Sequence, residues 1–192
     1  MPVKSTEAEL HQLFDSMPQE KAKSIEAWID YQIAAAEIER LSPQKVLDFE
    51  KQSIKNFVST QGLTFDRRIF EKLEKDDTIS FFKMPNLEMI FASRSYLKFN
   101  SYPFFITMIK PFNELYERED GIDAQIINEA VRICESGKVG EIQVSPHIVR
   151  EIYMPHKFRG HYVHCLKYGA PIYKDDVIWG IAVTHETRRF QN

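Results

Sequence analysis

The chain has 192 residues, of which 43% are hydrophobic and 12% aromatic, and its formal net charge is −3. That composition builds a folded domain, and the length leaves room for one full core plus an accessory element. With the charge near zero and the basic residues spread along the sequence, no global field draws in nucleic acid or an anionic membrane. The two cysteines, Cys134 and Cys165, make no CxxC pair, which excludes a cysteine-rich zinc centre and offers no disulfide framework. The N-terminal MPVKSTEAELHQL has no apolar signal core, and no run approaches the roughly 20 apolar residues of a membrane span. A soluble, cytoplasmic chain with a natural start at Met1–Pro2 is therefore expected.

In chain order, a first helical region comes before a sheet-forming one. Ser16 followed by Pro18 reads as a helix start, and Ile25, Trp28, Ile29, Ile33, Ala36 and Leu41 then form an apolar stripe. Ser42–Pro43 repeats the start signal for a second helix carrying Val46, Leu47, Phe49, Ile54, Phe57 and Val58, which Gly62 ends. A shorter helix is expected over 66–75. Composition changes at Asp76–Asp77, dividing the chain into a helical region, 1–75, suited to packing and dimerisation, and a second region, 76–192.

The second region opens with a hairpin, a strand over 78–84, a turn at Pro85–Asn86 and a strand over 87–92. An aromatic stretch with Pro103 and Pro111 follows, and those prolines favour short helices. Ile122, Ile126, Ile127, Ala130, Val131 and Cys134 then mark one face of a helix stopped at Ser136–Gly137. From His147 three strand-like runs complete the chain, with a tight polar turn before the last. In that last strand Val177, Trp179, Ile181 and Val183 alternate with Ile178, Gly180, Ala182 and Thr184. Both faces are apolar, so cover is expected on both, with room for a pocket on the small-residue side at Ala182.

The order strand, strand, short helices, longer helix and three antiparallel strands resembles the PAS domain family over about residues 76–190. Pro171–Ile172 in the penultimate strand, Gly180 in the last, and the tripeptide His185–Glu186–Thr187 fall where that family has PI, a glycine and Asp-x-Thr. The resemblance implies an α+β fold: a PAS-like antiparallel five-stranded sheet with helices on one face, preceded by an N-terminal helical region. It implies a non-enzymatic sensory or regulatory domain that binds a small molecule or partner and acts in signal transduction or transcription regulation. Its output would leave through His185 and Thr187, with a homodimer formed through the N-terminal helices. His185 stands where the family commonly has Asp, so the salt bridge that anchors an outgoing helix is not expected here.

The remaining constellations are weighed by their chemistry. Five of the six histidines lie between His147 and His185, but His161 and His164 sit three apart on a strand and so face opposite sides. Residues 122–136 contain no histidine where haem-binding relatives carry theirs, and neither cysteine lies in the Asn-Cys-Arg-Phe run of a flavin adduct. Haem and covalent flavin are both disfavoured, leaving the cofactor unknown. No metal site is expected. Arg150, Arg159, His161, His164 and Lys167 make a locally basic stretch able to grip an anion. Tyr96, Phe99 and Phe105 belong to the aromatic stretch that would wall an apolar pocket. The ligand-binding candidates are thus Tyr96, Phe99, Phe105, Arg150, His164 and Ala182. The alternatives are a small enzyme of the ketosteroid-isomerase-like kind, in which a pocket His or Asp would act as base and a cavity-facing acid is expected, the strands supplying almost none except Glu151 and Glu186, and a ligand-free interaction module.

Overall fold

The structure, a computed structural model, describes residues 16–74, 77–93, 96, 102, 107, 110–152 and 160–189. Phe99, Phe105 and Arg159 lie outside the described residues, as does the stretch before residue 16. Helix α1 (Gln19–Leu41) begins after Pro18, whose carbonyl accepts from the Lys21 and Ala22 amides, so the start lies past Ser16 and uses no side-chain cap. Its buried line is Ile25, Trp28, Tyr31 and Ala35, whereas Ile33 and Leu41 are 66% and 61% exposed. The expected stripe is therefore rotated. Two polar anchors set the rotation: Trp28 Nε1 donates to the Ala92 carbonyl at 2.6 Å, and Tyr31 Oη donates to Glu50 at 3.0 Å.

A 3₁₀ turn, Pro43–Lys45, leads into α2 (Val46–Thr60), which buries Ile54, Phe57 and Val58. Gly62, at a φ of 65° that few other residues adopt, then turns the chain into β1 (Leu63–Phe65). The expected helix over 66–75 is a 3₁₀ helix, Arg67–Lys72, opened by Asp66, whose carboxylate accepts from the Arg68 amide. The hairpin β2 (Thr78–Lys83) and β3 (Glu88–Ala92) stands where the sequence predicts it. After it come a single turn, α3 (Phe112–Leu115), and a short strand, β4 (Tyr116–Arg118). Helix α4 (Ile122–Ser136) runs between the left-handed glycines Gly121 and Gly137 and matches its expected limits. Strands β5 (Gly140–Glu141), β6 (His147–Glu151), β7 (His161–Lys174) and β8 (Val177–Arg189) follow. Asp175 and Asp176, with φ of 51° and 61°, make the two-residue turn between the last two.

The sheet is antiparallel and open, with 8 strands instead of five, in the order β3-β2-β8-β7-β6-β4; β1 and β5 also pair with β7. The extra strands are β1, β4 and β5. Each is two or three residues long, too short for an alternating pattern to be read from sequence. On one face Phe81 and Phe91 pack on Phe57 of α2, and Phe91 also meets Tyr31 of α1. On the other, Phe82 packs on Phe112 of α3 while Ile133 of α4 closes on Gly169 of β7. Strand β8 is buried from Gly180 to His185, with cover on both faces as its sequence leads one to expect; Val177 and Ile178, near the hairpin tip, are exposed. One hydrophobic cluster joins Ile25, Trp28 and Ile54 to Ile79, Ile133 and Ile181, so the residues on either side of position 76 share a core.

Gly180 shows how tightly the layers are set. A Cβ there would lie 2.3 Å from the Phe82 carbonyl oxygen, a backbone atom fixed by the β2–β8 ladder. Gly180→Ala is expected to cost about 1–3 kcal/mol through overpacking, read as a lower urea midpoint at unchanged slope.

Candidate functional site

The site lies between the inner face of the sheet and the α3–α4 layer. Alternation along the strands aims Ser80 and Phe82 (β2), Ile181, Val183, His185 and Thr187 (β8), and Tyr162, His164 and Leu166 (β7) at this face. His147 and Val149 of β6 pair with His164 and Tyr162, and Arg118 of β4 pairs with Val149. Two small cavities of about 30 and 40 Å³ lie here, and Phe112, His164 and His185 line both. Tyr96, Tyr116, Val149, Tyr162 and Thr187 complete the smaller one.

Three histidines that sequence spacing does not group are brought together by register. His164 Nε2 and His185 Nδ1 share a hydrogen bond of 2.8 Å, and His185 Nε2 pairs with Ser80 Oγ at 3.0 Å. The His147 ring meets His164 edge to face, with centroids 5.5 Å apart, and its Nδ1 donates to the Ser145 carbonyl at 3.0 Å. That leaves His147 Nε2 as a bare acceptor when the ring is neutral. His147 Nε2 and His164 Nδ1 are buried and have no hydrogen-bond partner among the described residues. The relay from Ser80 through His185 to His164 has two tautomeric states, and His164 Nδ1 carries a proton in one and a lone pair in the other. Burial holds all three rings below their ordinary value: His185 is pushed down to about 3. His164 falls well below through burial and the neighbouring His185, His147 and Arg118, and His147 falls through burial first and then Arg118. At neutral pH the cluster is uncharged.

The rest of the inner wall is phenolic and cationic. Tyr96 and Tyr116 share a hydrogen bond of 2.6 Å, and burial raises both phenols, so neither ionises near neutrality. Arg118 donates through Nη1 to Asp123 at 2.6 Å and lies over the Phe112 ring at 4.5 Å, with its side chain 1% exposed. Glu151 is fully buried and accepts from Tyr162 Oη and the Gly160 amide, each at 3.0 Å. That carboxylate fastens the start of β7 to β6 and does not face an open cavity. Ser80→Ala would strand His185 Nε2 and is expected to lower stability by about 1–3 kcal/mol. Imidazole ¹⁵N shifts should report the loss of the paired tautomers; unchanged shifts would mean that Ser80 holds neither state.

The sequence candidates divide by face. Tyr96 and His164 line the inner cavities, and His185 and Thr187 stand beside them. Thr187 pairs directly with His164 across the β7–β8 ladder. Ala182 lies on the opposite face, between Phe81 and Ala170 in register, under the α1–α2 layer. Arg150 is half-buried on the outward side of β6. Lys167 is taken up by Asp77 and Glu74 at 2.7 and 2.8 Å. His147 and Arg118 were not predicted. Reading β6 in register with β7 gives the first; the second sits on a three-residue strand with no sequence signal. Of the cysteines, Cys134 is buried and Cys165 is half-buried.

A further cavity of about 290 Å³ lies at the end of the α1–α2 layer, lined by Lys21, Lys83, Met89 and Trp179 among others; the Glu88 carboxylate pairs with Lys21 there. Among the described residues no cluster of histidine, cysteine and acidic side chains has metal-holding geometry, and no helix is long and apolar enough to cross a membrane. Comparison with known proteins gives no match: no family model, no curated protein and no solved structure is similar to this chain.

Proposed function

We propose that this chain is a PAS-like sensory or regulatory domain, cytoplasmic and non-enzymatic. A small molecule or partner engages the interior between the sheet and the α3–α4 layer, and β8 carries the change outward. The observation that carries this reading is the relay itself. His185, in the strand assigned to output, is hydrogen-bonded to His164 on the cavity wall, and Thr187 faces the same space. Rearranging the cavity therefore alters the bonds that hold the end of β8 in register. The chain order of β2, β3, α3, α4, β6, β7 and β8, with α4 across one face, adds support by analogy of fold. The exposed Ile33 and Leu41 on the outer side of α1 suit a dimer through the N-terminal helices.

Native mass spectrometry of freshly purified protein, with an absorption spectrum, tests this. The expected result is a dimer carrying added mass that is released on denaturation. A monomer of bare chain mass with a featureless visible spectrum would remove the sensor reading and leave the interaction module in its place. The ketosteroid-isomerase-like enzyme draws no support from Glu151, whose oxygens are already engaged by Tyr162 and Gly160.

A further inference from the structure

A buried guanidinium with an unused edge stands out among the polar groups of the described residues. Asp123 holds Arg118 Nη1 and the Phe112 ring lies against its plane, which fixes the group in orientation. Its Nε and Nη2 are buried and have no hydrogen-bond partner among the described residues. Leaving such donors unmet is costly, and native folds rarely do so without a reason. The Nε–Nη2 edge is also the side of an arginine that matches a carboxylate in two parallel hydrogen bonds.

The surroundings suit a particular kind of carboxylate. Arg118 and Asp123 stand in an open cleft of about 480 Å³ between the β2–β3 turn and the first turns of α4. Leu87, Phe112 and Ile126 line this cleft and also line the inner apolar cavity that ends at His164 and His185. Those three side chains are thus the partition between a charged mouth and an apolar interior. The positive end of α4, 15 residues long, adds to the attraction for an anion at the mouth.

We propose that this cleft binds a small monocarboxylate with an apolar body. Its head pairs with the Nε–Nη2 edge of Arg118, and its body passes between Leu87, Phe112 and Ile126 toward His164. Phe112 is half-buried and common to both spaces, so its side chain is the part that moves to admit the ligand. The inference deepens the sensor reading and rests on this interior being a small-molecule site. It also names a cation other than the basic stretch predicted around Arg150 and Lys167.

Calorimetric titration of the full chain with octanoate and phenylacetate, each beside its neutral amide, tests the proposal. The acids are expected to bind at least about tenfold more tightly than the amides, the difference being the charge-assisted pair. Arg118→Gln should abolish that preference. Asp123→Asn leaves Arg118 in place, removes its competing carboxylate at a half-exposed position, and should tighten acid binding several-fold. If Arg118→Gln does not fold, the amide comparison and Asp123→Asn decide the matter. Amides binding as well as acids, or an Asp123→Asn variant with no gain, would overturn the site. Hydrogen exchange at residues 184–189 in the same samples separates the two readings. Binding without a change there keeps the carboxylate site and sinks the sensor. No binding by either acid sinks the site, while the sensor stands or falls by mass spectrometry.

Discussion

Replacing Trp28 with alanine is expected to lower the unfolding free energy by about 3–5 kcal/mol, the usual loss for a large aromatic side chain removed from a core. Trp28 is fully buried and sits between α1 and the edge of the sheet, where its indole N–H donates to the Ala92 carbonyl. The variant loses packing and leaves a cavity in the cluster that also contains Ile25, Ile54 and Phe91. Gln32 still donates to the same carbonyl at 3.0 Å, so the penalty is mainly one of volume. Ile33→Ala, five residues on and mostly exposed, is expected to change stability by no more than about 0.5 kcal/mol. Urea unfolding of both variants checks the pair. Near-equal midpoints would mean that α1 does not belong to the domain core.

Acid should weaken the fold in a window set by the buried histidines. His185 has an ordinary value of 6.5 and is pushed down to about 3 in the fold; His164 moves the same way. The sign follows from which state takes the proton. Above pH 6.5 the rings are neutral in both states, and stability is complete. Below it the unfolded chain binds protons that the folded chain refuses until about pH 3, so stability falls as the pH drops. Each such histidine removes about 1.4 kcal/mol per pH unit. Between pH 7.5 and 5 that amounts to about 2 kcal/mol for His185, a large share of a typical total of about 5–15 kcal/mol, and His164 adds in the same direction. Among the described residues, the other ionisable groups that act on these rings are His147, which shifts in the same direction, Arg118, Asp123 and Glu119; the phenols of Tyr96 and Tyr116 line the same cavity. Keeping the window above pH 5 stays clear of the ordinary range of carboxylates. Denaturation curves that coincide at pH 7.5 and 5 would show that the rings are not buried and neutral.

The hairpin of β2 and β3, the limits of α4 and the two-sided cover of β8 were legible because each rests on a periodic run bounded by a strong stop. Gly137 ends the helix, and Asp175–Asp176 turns the last hairpin. Register was not legible. His147, His164 and His185 are far apart in sequence and meet only because β6, β7 and β8 pair as they do, so a reading of neighbouring residues keeps them separate. The same limit applies to Ala182, since alternation separates two faces without saying where along each the helices leave space; the structure has cavities against both layers. In α1 the amphipathic stripe was misjudged because Trp28 and Tyr31 set the rotation through partners in β3 and α2 that no local window contains.

Strand β7 has consequences for how the molecule comes into being. One of its flanks is shared in succession by β6, β5 and β1, while β8 occupies the other. Leu63 finds its partner in Lys174, and the edge that Trp28 covers belongs to a hairpin whose inner strand pairs with β8. On a ribosome α1 and α2 therefore emerge with their apolar sides bare and wait for strands made much later in the chain. Loop closure over such spans is slow, so the nascent chain passes through a long interval open to aggregation and to chaperones. A fragment holding only the helices, or only the strands after position 76, would remain in that unfinished state.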